Sequence, residues 1–212
     1  MRIPEPYFTK IIKPLVFITA LLPVGYLIWG FFNEVLGANP IEYIIRDLGD
    51  WTLRFLLITL AISPLRRLTG LAQLLRLRRM LGLYTFFYGL LHLSIYLILE
   101  QFFDWQEIWL DILERPFITI GMLAFILLIP LAVTSTTAAM RKLGKNWLRL
   151  HKLIYPISIF AILHFWWLVK ADIREPFIYA TILSILLLER LLRSQSFKKL
   201  INFNKKTSQW NT

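Results

Sequence analysis

The sequence contains no cysteine, and it has only three histidines among its 212 residues. The lack of cysteine excludes disulfides, thiolate-bound iron–sulfur clusters, zinc ribbons and thiol catalysis. Charged residues are also scarce, at 17%, whereas hydrophobic residues reach 57%. Soluble domains average about 25% charged and about 45–50% apolar residues. Because so little polar surface is left to cover a core, the composition indicates an integral membrane protein.

Apolar runs of membrane-spanning length recur along the chain. A helix needs about 20 mostly apolar residues to cross a bilayer. Four uncharged runs are long enough: 15–32, 80–99, 117–140 and 153–169. Two weaker segments, at 44–63 and 177–192, complete the prediction. We expect an all-α bundle of six transmembrane helices within residues 1–193, then a basic tail at 194–212, with no internal repeat and no cleaved signal peptide.

The basic residues are distributed unevenly between the predicted loops. Nineteen of the 24 Lys and Arg residues lie in the N-terminal segment, in alternate loops and in the tail, where only Glu5 and Glu189 are acidic. The positive-inside rule then places both termini in the cytoplasm. The net charge of +11 is therefore a topology signal and an attraction to membrane lipid, and it predicts no nucleic-acid partner.

Two of the three histidines lie deep inside predicted spans. His92 is 12 residues beyond Met80 and His164 is 12 residues beyond Lys152, which is about 18 Å along each helix. Ionisable residues within a membrane are functional candidates, and two neutral imidazoles at one depth can bind one iron from opposite sides. We predict that His92 and His164 are axial ligands of a heme iron in the outer half of the membrane. The alternative is that each only hydrogen-bonds to a neighbouring helix.

The third histidine, His151, lies at the cytoplasmic entrance of the fifth span. A second, inner heme would need a histidine 13 or 14 residues before His92, and Arg79 and Arg78 stand there instead. His151 is therefore either a contact for a second cofactor, a quinone or a flavin, or an ordinary interfacial residue. Arg78 and Arg79 are candidates for holding a phosphate or a propionate, with topogenic charge as the alternative.

Several segments resemble the MsrQ family, formerly YedZ, of the ferric reductase-like transmembrane superfamily. The similar segments are 36–40, 78–83, 91–93, 115–116, 119–121, 134–136, 141–145 and 147–151, together with His164. The resemblance covers nearly the whole chain apart from the tail. It implies b-type heme and FMN as cofactors. The fuller superfamily pattern pairs histidines on both helices, and this chain lacks the inner one on its third span.

The resemblance also implies a function. Members are non-catalytic, multi-pass electron-transfer subunits of the bacterial inner membrane. They take electrons from a cytoplasmic flavin reductase or the quinone pool. They deliver them to a periplasmic molybdopterin-containing methionine sulfoxide reductase subunit, which repairs oxidised envelope proteins. The acidic outer segment at 104–114 is expected to dock that partner. The competing hypotheses are a membrane transporter, which would show polar residues around a mid-membrane cavity, and a heme-free anchor for a partner protein.

Overall fold

A computed structural model describes residues 4–169 and 172–193, and within these ranges it contains helices and no strands. The all-α prediction is confirmed, whereas the predicted tail at 194–212 lies outside the described residues. The α-helices are α1 (Glu5–Tyr7), α2 (Lys13–Thr19), α3 (Leu22–Phe32), α4 (Pro40–Thr69), α5 (Leu75–Ile95), α6 (Trp105–Glu114), α7 (Pro116–Val133), α8 (Thr137–Leu143), α9 (Lys145–Leu150), α10 (Ile154–Leu168) and α11 (Arg174–Arg193). Short π or 3₁₀ turns extend them at Phe8–Ile12, Ala72–Leu74, Tyr96–Glu100 and His151–Leu153.

Five helical segments in the described part of the chain are long and apolar enough to cross a bilayer. They are Glu5–Phe32, Pro40–Thr69, Ala72–Glu100, Pro116–Val133 and Lys145–Leu168. The prediction of a multi-pass membrane protein is thereby confirmed.

The predicted sixth span corresponds to α11, which is more charged than these five helices. It nevertheless lies along α4. The Tyr179 hydroxyl accepts a hydrogen bond from Arg54 Nε at 3.0 Å, and Arg190 Nη2 donates to the Leu60 carbonyl at 2.6 Å. Its 20 residues extend over about 30 Å.

The second span is longer than its apolar core suggests. Helix α4 begins after Asn39, whose side chain accepts the Glu42 N–H at 3.2 Å, and it ends at Gly70, where φ is +72°. Four of the five charged residues in its first half are paired one turn apart along the helix, Arg46 with Glu42 at 2.6 Å and Arg54 with Asp50 at 3.4 Å. Because these pairs lie on the helix itself, the charges do not break it.

The fourth span is shorter than its apolar run. The run at 117–140 predicts one helix, but α7 ends at Val133. Thr134 Oγ1 donates to the Pro130 carbonyl at 2.6 Å, and Ser135 Oγ donates to the Leu131 carbonyl at 2.7 Å. The Thr136 side chain then caps α8 by accepting the Ala139 N–H at 3.1 Å. The four consecutive hydroxyl residues at 134–137 predict the end of the fourth helix, and these bonds confirm it: they satisfy free backbone groups at the break, so the span ends at Val133 although the apolar run continues to residue 140.

The two ends of the bundle differ in charge. We call one the basic end: it holds the end of α4, the start of α5, the start of α10 and the end of α11. There Arg67 of α4 pairs with Glu189 of α11, and Arg190 of α11 donates a hydrogen bond to Tyr155 of α10. The other, the acidic end, holds the starts of α4 and α7 and the short helix α6. The observed helices therefore segregate charge as the loop pattern predicts.

At the acidic end, α6 is fastened by one buried carboxylate. Asp111 accepts hydrogen bonds from the Tyr96 hydroxyl at 2.9 Å and from Gln101 Nε2 at 2.7 Å. It also pairs with Arg115 Nε at 3.0 Å, and its side chain is only 4% exposed. Asp111 is thus unavailable to a partner protein, whereas Glu107 and Glu114 on the same helix are exposed.

Replacing Asp111 by asparagine is expected to lower the melting temperature of the detergent-solubilised protein. Asparagine keeps one acceptor oxygen, so it cannot serve both the Tyr96 and Gln101 donors at one oxygen and Arg115 at the other. Hydrogen bonds to a charged group contribute about 1.5–3 kcal/mol. Thermal unfolding followed by intrinsic tryptophan fluorescence measures the effect. The matched control is Glu107→Gln, which removes an exposed charge from the same helix. Equal melting temperatures for both variants would refute the fastening role of Asp111.

Candidate heme site

The structure brings His92 and His164 together. His92 is near the end of α5 and His164 is near the end of α10, and both side chains are partly buried. The centres of their rings are 6.1 Å apart, and the ring planes are inclined at 83°. Two helices that both run from the basic end to the acidic end thus present imidazoles at one level.

Each ring is oriented by a backbone carbonyl. His92 Nδ1 lies 2.8 Å from the Ile45 carbonyl oxygen, and His164 Nδ1 lies 2.6 Å from the Phe117 carbonyl oxygen. A carbonyl only accepts hydrogen bonds, so Nδ1 must carry the proton in the neutral ring. The lone pair of Nε2 then remains for a metal, which is the arrangement usual for histidine ligands in proteins.

A glycine lies one helical turn beyond each of these carbonyls. Residues at i and i+4 share a helix face, so a side chain there would meet the approaching ring. At Gly49 a Cβ would lie 3.2 Å from His92 Cε1, and at Gly121 it would lie 2.5 Å from His164 Nδ1. The lack of a side chain at these two positions therefore allows each imidazole to reach its carbonyl.

The carbonyl and the glycine beside each histidine are arranged in the same way. The histidine follows its carbonyl residue by 47 positions in both cases, Ile45 to His92 and Phe117 to His164. The glycine follows four residues after the carbonyl on both helices. The pair α4–α5 and the pair α7–α10 thus orient their histidines in the same way.

The residues fit an iron bound between two imidazoles. Metal–imidazole bonds are about 2 Å long, so two rings that bind one metal from opposite sides have centres about 6 Å apart. The observed 6.1 Å agrees with this requirement, and both Nδ1 atoms are already used by carbonyls. Since Ile45 and Phe117 belong to the first two turns of α4 and α7, the pair lies nearer the acidic end.

His151 is held elsewhere, at the basic end. Its ring stacks on Trp147, with the ring centres 3.9 Å apart and the planes inclined at 28°. Its Nε2 lies 3.1 Å from Thr134 Oγ1, and Trp147 Nε1 donates to the Thr134 carbonyl at 2.9 Å. These contacts join the residue after α7 to α9 and to the 3₁₀ turn that precedes α10. No group of three or more His, Cys, Asp or Glu residues suited to a metal occurs within residues 4–169 and 172–193.

The two candidate arginines are separated by the structure. Arg78 lines a cavity at the basic end together with Tyr155 and Arg190. Arg79 is exposed, and it does not belong to that lining. Only Arg78 is therefore placed to hold a group inside the bundle.

The fold and the histidine geometry define the class: a helical membrane protein with a paired-histidine centre between two of its spans. Residues 48–162, more than half of the chain, match the family model described as ferric reductase like transmembrane component. No solved structure matches the chain.

Curated relatives narrow the class. A protein of Xanthomonas euvesicatoria pv. vesicatoria (strain 85-10) is 53% identical over 193 residues, 88% of each chain. One of Xanthomonas oryzae pv. oryzae (strain MAFF 311018) is 55% identical over 181 residues, 82% of this chain and 83% of its own. One of Herminiimonas arsenicoxydans is 51% identical over 191 residues, 89% of this chain and 88% of its own. All three are named protein-methionine-sulfoxide reductase heme-binding subunit MsrQ. The chain belongs to the MsrQ family.

The supporting groups escaped the sequence analysis. Backbone carbonyls have no signature in a sequence, and Gly49 and Gly121 look like ordinary small residues in apolar helices. The only available signal is their common spacing from a histidine, 43 residues in both cases.

Proposed function

We propose that this protein binds b-type heme between His92 and His164 and carries electrons across the membrane for a methionine sulfoxide reductase system. The observation that carries the proposal is the pair of imidazoles 6.1 Å apart, each with Nδ1 held by a carbonyl. The name of the relatives, heme-binding subunit, agrees with it.

The chain itself orients the center. The Ile45 and Phe117 carbonyls fix the tautomers of the two histidines, and Gly49 and Gly121 leave room for the rings. A heme ligated on both sides supplies one-electron transfer between ferric and ferrous iron, with no open position for oxygen.

The difference in charge between the basic end and the acidic end suggests the direction of electron flow. On the positive-inside rule the basic end faces the cytoplasm. With α11 as a sixth span, both termini are cytoplasmic. The membrane is then the bacterial inner membrane. Electrons then enter at the basic end, from a flavin reductase or the quinone pool, with FMN as a further cofactor and His151 at the entrance. FMN and these donors rest on the family resemblance alone.

The paired histidines lie nearer the acidic end, and this location suits delivery to a periplasmic molybdopterin-containing methionine sulfoxide reductase subunit. Of the acidic residues on α6, Glu107 and Glu114 are exposed and available to dock such a partner. Asp111 is used within the chain. The docking surface that we propose is therefore narrower than the whole 104–114 segment.

Electron delivery tests the function directly. The heme-loaded protein in proteoliposomes is expected to be reduced by a flavin reductase with its nicotinamide substrate. It is then expected to be reoxidised only when both the molybdopterin subunit and methionine sulfoxide are present. Omitting methionine sulfoxide is the matched control. Protein that stays colourless after expression in heme-replete cells, or heme that never reoxidises, would contradict the proposal.

A further inference from the structure

A patch of large apolar side chains is exposed at the acidic end, on the segment that joins α5 to α7. The patch consists of Phe102, Phe103, Trp105, Trp109 and Leu113. Trp105, Trp109 and Leu113 follow one another every four residues on α6 and are 61–67% exposed, so they form one stripe along the helix. We call these three side chains the apolar flank of α6. A contiguous exposed apolar patch marks an interaction surface.

The other side of α6 is acidic. An α-helix turns by about 100° per residue, so Glu107 lies about 200° around the axis from Trp109, and Glu114 lies close to the angle of Glu107. Both carboxylates are exposed. The face between the two sides is buried against the bundle through Ile108 and Asp111. Helix α6 therefore separates apolar from charged groups across its axis, as a helix at the boundary between lipid and water does.

Helix α6 is held at the level where two spans end. The span Ala72–Glu100 ends just before it, and the span Pro116–Val133 begins just after it. The chain turns sharply between α6 and α7, because Thr119 Oγ1 donates to the Ile112 carbonyl, whereas seven residues of straight helix would separate these groups by about 10.5 Å. Asp111 then fastens α6 to the end of the preceding span. Helix α6 thus folds back beside the bundle and does not extend α7 away from the membrane.

The turn before α6 presents two further rings at the cost of backbone strain. Phe102 and Phe103 have φ values of +47° and +59°, a left-handed conformation that glycine or asparagine adopts more readily than a bulky residue. The Phe102 ring is 78% exposed, and the centre of the Phe103 ring lies 6.0 Å from that of Trp105. Transfer of an aromatic ring from water to an apolar phase offsets the cost of this conformation. Phenylalanine at these positions therefore indicates that the rings have an apolar surrounding.

We propose that α6 lies in the membrane surface at the acidic end, with its apolar flank and the two phenylalanine rings embedded in phospholipid. The occupant is lipid because the patch adjoins spans that already contact lipid, and because tryptophan is enriched where hydrocarbon meets headgroups. Glu107 and Glu114 then face water, on the side from which a soluble protein approaches. The proposal rests on the fold and stands without the heme.

Spin labels on single cysteines test this in the full-length protein in phosphatidylcholine vesicles. The chain has no cysteine of its own, so Trp109→Cys and the control Glu107→Cys each carry one label, on opposite sides of α6. Power-saturation electron paramagnetic resonance compares collisions with oxygen, which concentrates in lipid, and with a water-soluble nickel complex. The ratio of oxygen to nickel collisions is expected to be several-fold higher for the Trp109→Cys label than for the Glu107→Cys label.

A second pair of labels, Leu113→Cys and Glu114→Cys, repeats the comparison, so that one variant that fails to fold does not decide the outcome. Thermal unfolding checks the fold of each labelled protein. Nickel collisions that are as frequent on the apolar flank as on the acidic side would overturn the proposal, because the patch would then face water. Shielding of the apolar flank from both reagents would also overturn it, because a protein surface such as a second copy of the chain would then be the occupant.

Discussion

Replacing His92 or His164 by alanine is expected to remove the low-spin heme spectrum of the purified protein. Each substitution deletes one of the two facing imidazoles, whose ring centres are 6.1 Å apart. Within residues 4–169 and 172–193 the only other histidine, His151, is engaged with Thr134 and Trp147, so no ring can replace the missing ligand. We expect either loss of nearly all bound heme or conversion to a high-spin, five-coordinate form.

The matched control is His151→Ala, which removes a histidine from the same helical segment without touching the pair. It is expected to retain the low-spin spectrum of the His92–His164 center. Reduced-minus-oxidised difference spectra of equal protein amounts give the comparison. A wild-type spectrum in either His92→Ala or His164→Ala would show that the facing rings are not the ligands.

Gly121→Ala is expected to have the second largest effect. The added methyl carbon would lie 2.5 Å from His164 Nδ1, well inside van der Waals contact, so the imidazole must leave the Phe117 carbonyl. Overpacking of this kind costs about 1–3 kcal/mol, and here the displaced group is the proposed ligand. We expect heme content to fall several-fold. Gly49→Ala, with a closest approach of 3.2 Å to the His92 ring, is expected to act in the same direction but more weakly.

The control for this pair is Gly82→Ala, in the same helix as His92. Its nearest neighbour would be Thr59 Cγ2 at 3.7 Å, an ordinary contact. Alanine is favoured over glycine within a helix by about 0.5–1 kcal/mol, so this variant is expected to bind heme normally and to melt at or above the wild-type temperature. Heme content is measured as the absorbance of the extracted heme relative to protein. The same heme content in Gly121→Ala as in Gly82→Ala would refute the role of the missing side chain.

Helix positions followed from the sequence where hydropathy alone decides them. The run at 15–32 lies within the span Glu5–Phe32, which includes α2 and α3, and the run at 80–99 lies within α5 and the π turn that extends it. Hydropathy is insufficient where polar side chains decide the end of a helix. Paired charges extend α4 beyond the predicted 44–63, whereas the hydroxyls of Thr134 and Ser135 end α7 where the cluster of hydroxyl residues predicts.

The sequence predicts the side chains of the candidate site but not the backbone groups that orient them. Matched depth from a helix rise of about 1.5 Å per residue was enough to select His92 and His164 as a pair. The carbonyls that orient them depend on how α4 packs on α5 and α7 on α10, which no linear pattern encodes. Similarly, Arg78 and Arg79 are indistinguishable as adjacent arginines, and only the fold, which places Arg78 in one cavity lining with Tyr155 and Arg190, separates them.

An iron bound by both His92 and His164 has two axial histidine nitrogens. Pulsed electron paramagnetic resonance of the oxidised protein, grown with isotopically labelled histidine, counts the axial histidine nitrogens directly. Two labelled axial nitrogens are expected in the wild type and in His151→Ala, whereas any heme that His92→Ala retains is expected to have at most one. A single labelled nitrogen in the wild type, or two that persist without His92, would contradict the account.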